Sequence, residues 1–399
     1  MSDVRPFRAL RPPESLADRV IAPPYDVLSD ARARTLAGNR NSFVRVTRSE
    51  VDLPLGTDPH SEETYAMART NLDAFVEQGA LVRDAEPTYY FYGQQMGDHV
   101  QVGVLAAASV DEYDAGAIAR HEFTRPDKED DRTHHMDVLD AQVGLVFLAY
   151  RPHERLSSLT EQVTAQEPAW SVTTEDGVVH TFWLAPVEIN GDIQEAFATV
   201  DRLYIADGHH RSAAASRIHA LRQTEQSRYF LAGLFPADAL QVMAYNRVVE
   251  DLNGHSEAAF LEQVRQGFSV DLCEGGVPTA QGEVRMYLAG DWYRLQARDP
   301  VDQSDPVARL DVAVLQDRLL TPVLGIRDVR TSSRIEFVGG IHGPKALEEK
   351  VNAGAAVAFH LYPTSLGELF EVADAGEVMP PKSTWFEPKL REGVAIRPL

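Results

Sequence analysis

The sequence predicts an α+β protein, and three stretches carry that prediction. From Ser61 to Gly79 the apolar residues Tyr65, Ala68, Leu72, Phe75 and Val76 recur at helical spacing, with Gly79 as the stop. Thr88–Tyr92 and Val100–Val110 are rich in aromatic and β-branched residues on either side of Gly97-Asp98, which reads as a hairpin. Leu203–Ala206 is a short apolar strand that runs through Asp207-Gly208-His209-His210-Arg211 into the alanine-rich helix pattern Ser212–Leu221.

The remaining elements follow in order. Ala22-Pro23-Pro24-Tyr25-Asp26-Val27 contains two prolines that forbid a regular helix and set an extended approach to a turn. Arg45-Val46-Thr47-Arg48 reads as a short strand end, and Val143–Tyr150 and Val178–Leu184 as strands. Beyond Gln241 come a strand near Val242–Val249, a helix through Glu257–Gly267, and mixed segments without repeats or low-complexity tracts. A chain of 399 residues exceeds the size at which one hydrophobic core stops growing, so two or three domains are expected.

Composition narrows the function classes. With 44% apolar and 25% charged residues and no long uninterrupted apolar stretch, the sequence is that of a globular protein, and a membrane span is not expected. Thirty-eight basic against sixty acidic side chains give a net charge of −22, which opposes attraction to nucleic acid. Cys273 is the single cysteine, which excludes an intrachain disulfide and any zinc site of several thiolates. The first residues show no secretory pattern, so the expected location is the cytoplasm.

Two charged constellations bear chemistry. A strand-to-helix turn exposes the first N–H groups of the helix to anions, and residues 207–211 stand at such a turn. Asp207 can cap the helix or hold a metal ion, Gly208 lets the backbone approach a ligand, and Arg211 offers a planar fork to phosphate. His209 and His210 can donate to phosphate or move protons near neutral pH. Capping alone needs one or two of these five residues. The second constellation, His121 to His135, mixes both charge signs with three histidines and Pro126 between two apolar strands, which reads as a loop lining a cleft.

Some standard sites are excluded. The second histidine of a zinc-protease motif after His121-Glu122 is replaced by Arg125, and neither a P-loop nor a Gly-x-Gly-x-x-Gly turn is present. Asp26, Arg45 and Arg48 are usable at an anionic pocket, although surface structure explains each more simply. Met379-Pro380-Pro381-Lys382-Ser383-Thr384-Trp385-Phe386-Glu387-Pro388-Lys389 reads as a stiff ordered tail, either packed over the core or binding ligand through Lys382 and Ser383.

Arg5-Pro6-Phe7, Pro23-Pro24-Tyr25-Asp26-Val27, the run from His121-Glu122 to Asp131-Arg132, Asp207–Arg211 and Met379–Thr384 together resemble the bacterial and archaeal family grouped as domain of unknown function 1015. The resemblance covers nearly the whole chain. The Asp-Gly-His-His-Arg segment is also similar to the signature box of the ParB/sulfiredoxin superfamily, some members of which phosphorylate free L-serine with ADP or ATP. A sulfiredoxin-like reductase would need a cysteine in the box, where His209 stands before His210.

The resemblance implies a ParB/sulfiredoxin-like mixed-sheet core at residues 85–240, an N-terminal segment 1–84 contributing to the site, and a C-terminal α/β domain at 241–399. It implies a kinase that uses Mg²⁺ and ATP or ADP to phosphorylate a small hydroxy amino acid, most simply L-serine. Gly208, His209, His210 and Arg211 are then the phosphate cradle, with His210 also catalytic, Asp207 a magnesium ligand or base, and Arg125, Lys128 and Arg132 charge stabilisers. Glu122 is the leading base with Glu129 in reserve, and Asp26, Arg45 and Arg48 are candidates for the acceptor's charged groups. The alternative is a ParB-like nucleotide-binding or hydrolysing regulatory module with no small-molecule acceptor; the acidic composition counts against a DNA partner.

Overall fold

The computed structural model describes residues 2–399, which divide into two compact units, 2–240 with Pro388–Leu399 and Gln241–Glu387. The protein is α+β, with mixed and antiparallel sheets. Residues 1–84, set apart in the sequence as an N-terminal segment, belong to the same unit as 85–240. Their apolar side chains Phe43, Val46, Leu72 and Phe75 share a core cluster with Leu139, Ala141 and Ile396.

The first unit is built on a nine-stranded sheet. Its strands are β1 (Val4–Arg5), β2 (Tyr90–Met96), β3 (His99–Ser109), β4 (Ile118–Ala119), β5 (Val146–Tyr150), β6 (Trp170–Thr173), β7 (Val179–Leu184), β8 (Leu203–Asp207) and β9 (Tyr229–Pro236). Their spatial order is β4-β8-β5-β9-β3-β2-β7-β6, with β1 beside β3. β4·β8 and β5·β9 are parallel and the other pairs antiparallel. The expected hairpin is β2–β3, turning at Gly97 with a φ of +60°. β5 is buried along its whole length, which is why it reads as a continuous apolar run.

Three helices place the site. α1 (Glu62–Glu77) is capped by the Ser61 hydroxyl and buries Tyr65, Ala68, Leu72 and Phe75. α2 (Pro126–Leu139) occupies most of the segment expected as a cleft-lining loop. Pro126 stands at the first helical position, where its missing N–H costs nothing, and Asp127 and Glu129 in the first turn suit the helix dipole. α3 (His209–Arg222) follows β8 directly and lays Ala213, Ala214, Ala215 and Ile218 into the sheet's apolar core. Arg45 and Arg48 also depart from expectation. Val44–Thr47 is a helical turn, not a strand end, because Phe43, Val44 and Val46 are all buried and no strand alternation survives.

The second unit carries a six-stranded sheet in the order Phe268–Cys273, Asp291–Ala297, Glu283–Leu288, Val357–Leu361, Tyr245–Val249, Ile335–Gly339, antiparallel throughout. Val248, Tyr287, Trp292, Val338, Leu347 and Ala358 form its apolar cluster. The expected helix stands at Glu257–Gly267. The stiff tail divides at Glu387: Trp385–Glu387 pairs with Gln241–Met243 within this unit, and Pro388 onward belongs to the first.

Candidate active site

The turn after β8 is shaped by two backbone departures. The β8–β5 register shifts between Ile205 and Asp207, leaving Ala206 as an extra residue, and such a bulge re-aims the side chain that follows it. Gly208 then takes a φ of +96°, and a Cβ there would stand 3.3 Å from the Val146 Cα. Only glycine fits this position without strain. The first N–H groups of α3 therefore point out of its N-terminus at the end of the sheet.

Around this turn the structure gathers residues from three parts of the chain. Asp207 Oδ1 accepts the Gly208 N–H at 2.7 Å, and its Oδ2 lies 3.5 Å from the Lys389 ammonium. Burial works to raise the Asp207 carboxyl, but Lys389 and then Arg211 hold it well below the usual carboxylate range. His209 is buried and meets His121 edge to face, with ring centroids 4.6 Å apart. Its Nδ1 is 3.9 Å from Glu122 Oε2. Desolvation keeps both rings neutral at pH 7, with His121 pushed down to about 4 and His209 well below its ordinary value. His209 Nε2 and His121 Nδ1 are buried without hydrogen-bond partners.

His210 accepts the Arg125 backbone N–H on Nε2 at 3.1 Å, which pins the entry to α2 against the turn. That lone pair is therefore engaged in holding structure. Arg211 donates from Nη1 to the Leu145 carbonyl and lines a small cavity of about 30 Å³, enough for water, with Tyr25, Arg132 and Glu392. Asp26 is exposed on the helical turn Tyr25–Val27, and its charge acts on Arg211.

The other expected residues have work elsewhere. The Arg125 guanidinium pairs with Asp127 on the surface at 2.8 Å. Arg132 pairs with Asp131 at 2.6 Å and stacks over Tyr25 at 4.3 Å. Glu129 bonds Thr124 and lies 3.7 Å from Arg217 of α3. Lys128 stands half-buried on the first turn of α2. Arg45 pairs with Asp52 at 2.7 Å and donates to the Ala37 carbonyl, whereas Arg48 pairs with Glu50 and Asp30 and donates to the Leu28 carbonyl at 2.9 Å. Both arginines fix the N-terminal segment.

Lys389 and Glu392 were given no role by sequence reasoning. Lys389 had one signal, its place in the proline-stiffened tail; Glu392 had none. Glu392 is 4% exposed, and its Oε2 lacks a partner.

No similar sequence is found among curated proteins. Solved structures with some likeness include a free serine kinase in complex with AMP, 13% identical with a TM-score of 0.36 over 71% of this chain and 86% of that one. A C-terminally truncated SbnI from Staphylococcus aureus is 12% identical with a TM-score of 0.39 over 72% and 84%. A conserved hypothetical protein from Pyrococcus furiosus is 14% identical with a TM-score of 0.35 over 71% and 90%. Likenesses this distant leave the chemistry to be argued from the site. Residues 4–313 match one family along most of the chain, and the protein accordingly belongs to the family described as Protein of unknown function (DUF1015).

Proposed function

We propose that the chain transfers the terminal phosphoryl group of ATP or ADP to the hydroxyl of a small free amino acid, L-serine first among them. The observation that carries this reading is the Asp207-Gly208-His209 junction. A left-handed glycine sets a helix N-terminus beside a carboxylate that faces the Lys389 ammonium. The likeness of this box to that of free L-serine kinases supports serine as the first acceptor to try.

Phosphoryl transfer asks for positioning and charge neutralisation more than for covalent chemistry. The α3 N-terminus and Gly208 cradle the phosphates in this reading, with neutral His209 at the turn. The acceptor oxygen forms the new P–O bond as the bond to the leaving nucleotide oxygen breaks, and Glu122, half-exposed beside His209, takes the hydroxyl proton. Asp26 stands near Arg211 and suits the acceptor's ammonium. Arg45 and Arg48, saturated by internal partners, serve the scaffold.

Among the described residues no group of three or more His, Cys, Asp or Glu side chains is placed to hold a metal alone. Asp207 fits a magnesium ion that arrives with the nucleotide, since Mg²⁺ is commonly held by one or two carboxylates together with phosphates. Bound there, the ion would supply charge neutralisation.

The test is phosphate transfer from ATP and from ADP, with Mg²⁺, to serine, threonine and homoserine, with Asp207→Ala as the control. O-phosphoserine formed by the native protein and lost in the variant is the expected result. Nucleotide binding without transfer to any acceptor would replace this reading with a regulatory nucleotide-binding module.

A further inference from the structure

We infer that Lys389 contacts the terminal phosphates of the nucleotide and that the buried pair Gln94–Gln101 positions it; this rests on the nucleotide reading above. Gln94 and Gln101 face each other across β2–β3 and are each 1% exposed. Burying two primary amides in a sheet costs free energy unless their polar atoms are paired. Here the partners are one another and the tail. Gln101 Nε2 donates to Gln94 Oε1 at 2.9 Å and to the Pro388 carbonyl at 3.4 Å, and Gln94 Nε2 donates to the Lys389 carbonyl at 2.9 Å.

Apolar packing alone would hold a tail but not fix its register. Directional amide bonds do, because a slip of one residue would break the bonds from Gln94 and Gln101 to the tail carbonyls and turn the lysine away from the sheet end. The side chain so placed ends 3.5 Å from Asp207 Oδ2, at the N-terminus of α3. Of the arginines nearby, Arg125 pairs with Asp127 and Arg132 with Asp131, while Arg211 lies against Gly208 and donates to the Leu145 carbonyl from within the fold. Lys389 is the cation that reaches the Asp207 carboxylate from the tail, and an ammonium on a flexible stem is a common phosphate ligand.

The position predicts a dependence on phosphate number. Calorimetric titration of the full chain with ATP, ADP and AMP in Mg²⁺ would be compared among the native protein, Lys389→Ala, Lys389→Gln, Lys389→Arg and the Gln94→Leu/Gln101→Leu pair. Lys389→Ala and Lys389→Gln should weaken ATP and ADP by about tenfold to a hundredfold and leave AMP within about twofold. Lys389→Arg should recover most of the loss. The glutamine pair should copy the Lys389→Ala pattern with the lysine intact.

Either neutral variant decides the matter if the other fails to fold. A merely structural lysine would lower Tm and leave the ratio of ATP to AMP affinity unchanged, and that result overturns the inference. A native protein that binds none of the three nucleotides overturns the nucleotide reading and this inference with it. Native binding that survives Lys389→Ala unchanged overturns the inference alone.

Discussion

Gly208 and Glu392 show how single residues set the site. At a φ of +96° an alanine in place of Gly208 is strained, and its Cβ meets the Val146 backbone. Gly208→Ala should cost ~1–3 kcal/mol in urea denaturation and lower transfer activity by displacing the α3 N-terminus. Unchanged stability would contradict the steric argument. Glu392 titrates in the opposite sense to an ordinary paired carboxylate. Burial pushes its carboxyl up from 4.5 to about 7, so the fold holds it protonated and the unfolded chain ionises first as pH rises. Its contribution is therefore present below 4.5 and lost as pH climbs through 7. Glu392→Gln, a mimic of the protonated form, should match the native protein near pH 4.5 and exceed its stability by about 2–3 kcal/mol above pH 8. A difference independent of pH would sink this account.

At the scale of elements, the contact between α1 and α2 depends on a polar group. Asp131 accepts the Tyr65 hydroxyl at 2.7 Å, bonds His60 at 2.7 Å and pairs with Arg132. Burial opposes its charge, yet Arg132 and then Tyr65 bring its carboxyl down from 3.8 to about 2. Such a depressed group stabilises the fold above 3.8 and loses that contribution as pH falls through 2. Asp131→Asn should cost about 2 kcal/mol at pH 7 and progressively less towards pH 2, read from denaturation midpoints. The same network explains what the sequence conceals. α1, the β2–β3 hairpin and the β8–α3 junction were legible because their buried residues are apolar and recur with the period of the element. α2 buries Asp131, Thr133 and His135 beside Met136 and Leu139, so no apolar stripe announces it. Val44–Thr47 misled in the other direction, since its β-branched residues suit a strand until tertiary burial claims both Val44 and Val46. Asp207 to Arg211 could be read as a candidate turn, but Lys389, Glu392 and the Gln94–Gln101 pair could not be joined to it, because pairing distant in sequence places them.

Over the whole molecule the last twelve residues bind the first unit together. Ile396 exchanges backbone hydrogen bonds with Leu10, at 2.8 and 2.9 Å, and Glu392 does so with Ala22 at 2.9 and 3.0 Å. Arg397 pairs with Gln142 in a two-stranded ladder, and the Leu399 N–H donates to the Asp140 carbonyl at 3.0 Å. Val394, Ala395 and Ile396 are buried. Exposing Val394 and Ile396 alone forfeits ~1.5–3 kcal/mol each, before the cavity they leave and the unpaired amides of Gln94 and Gln101 are counted. Set against the ~5–15 kcal/mol that holds a typical domain, those losses exceed what a surface tail can cost. A chain ending at Glu387 should therefore lose the cooperative unfolding transition of the first unit and the near-ultraviolet signal of its buried aromatic residues. A truncated protein that melts cooperatively within a few degrees of the full chain would show instead that the tail only decorates the sheet.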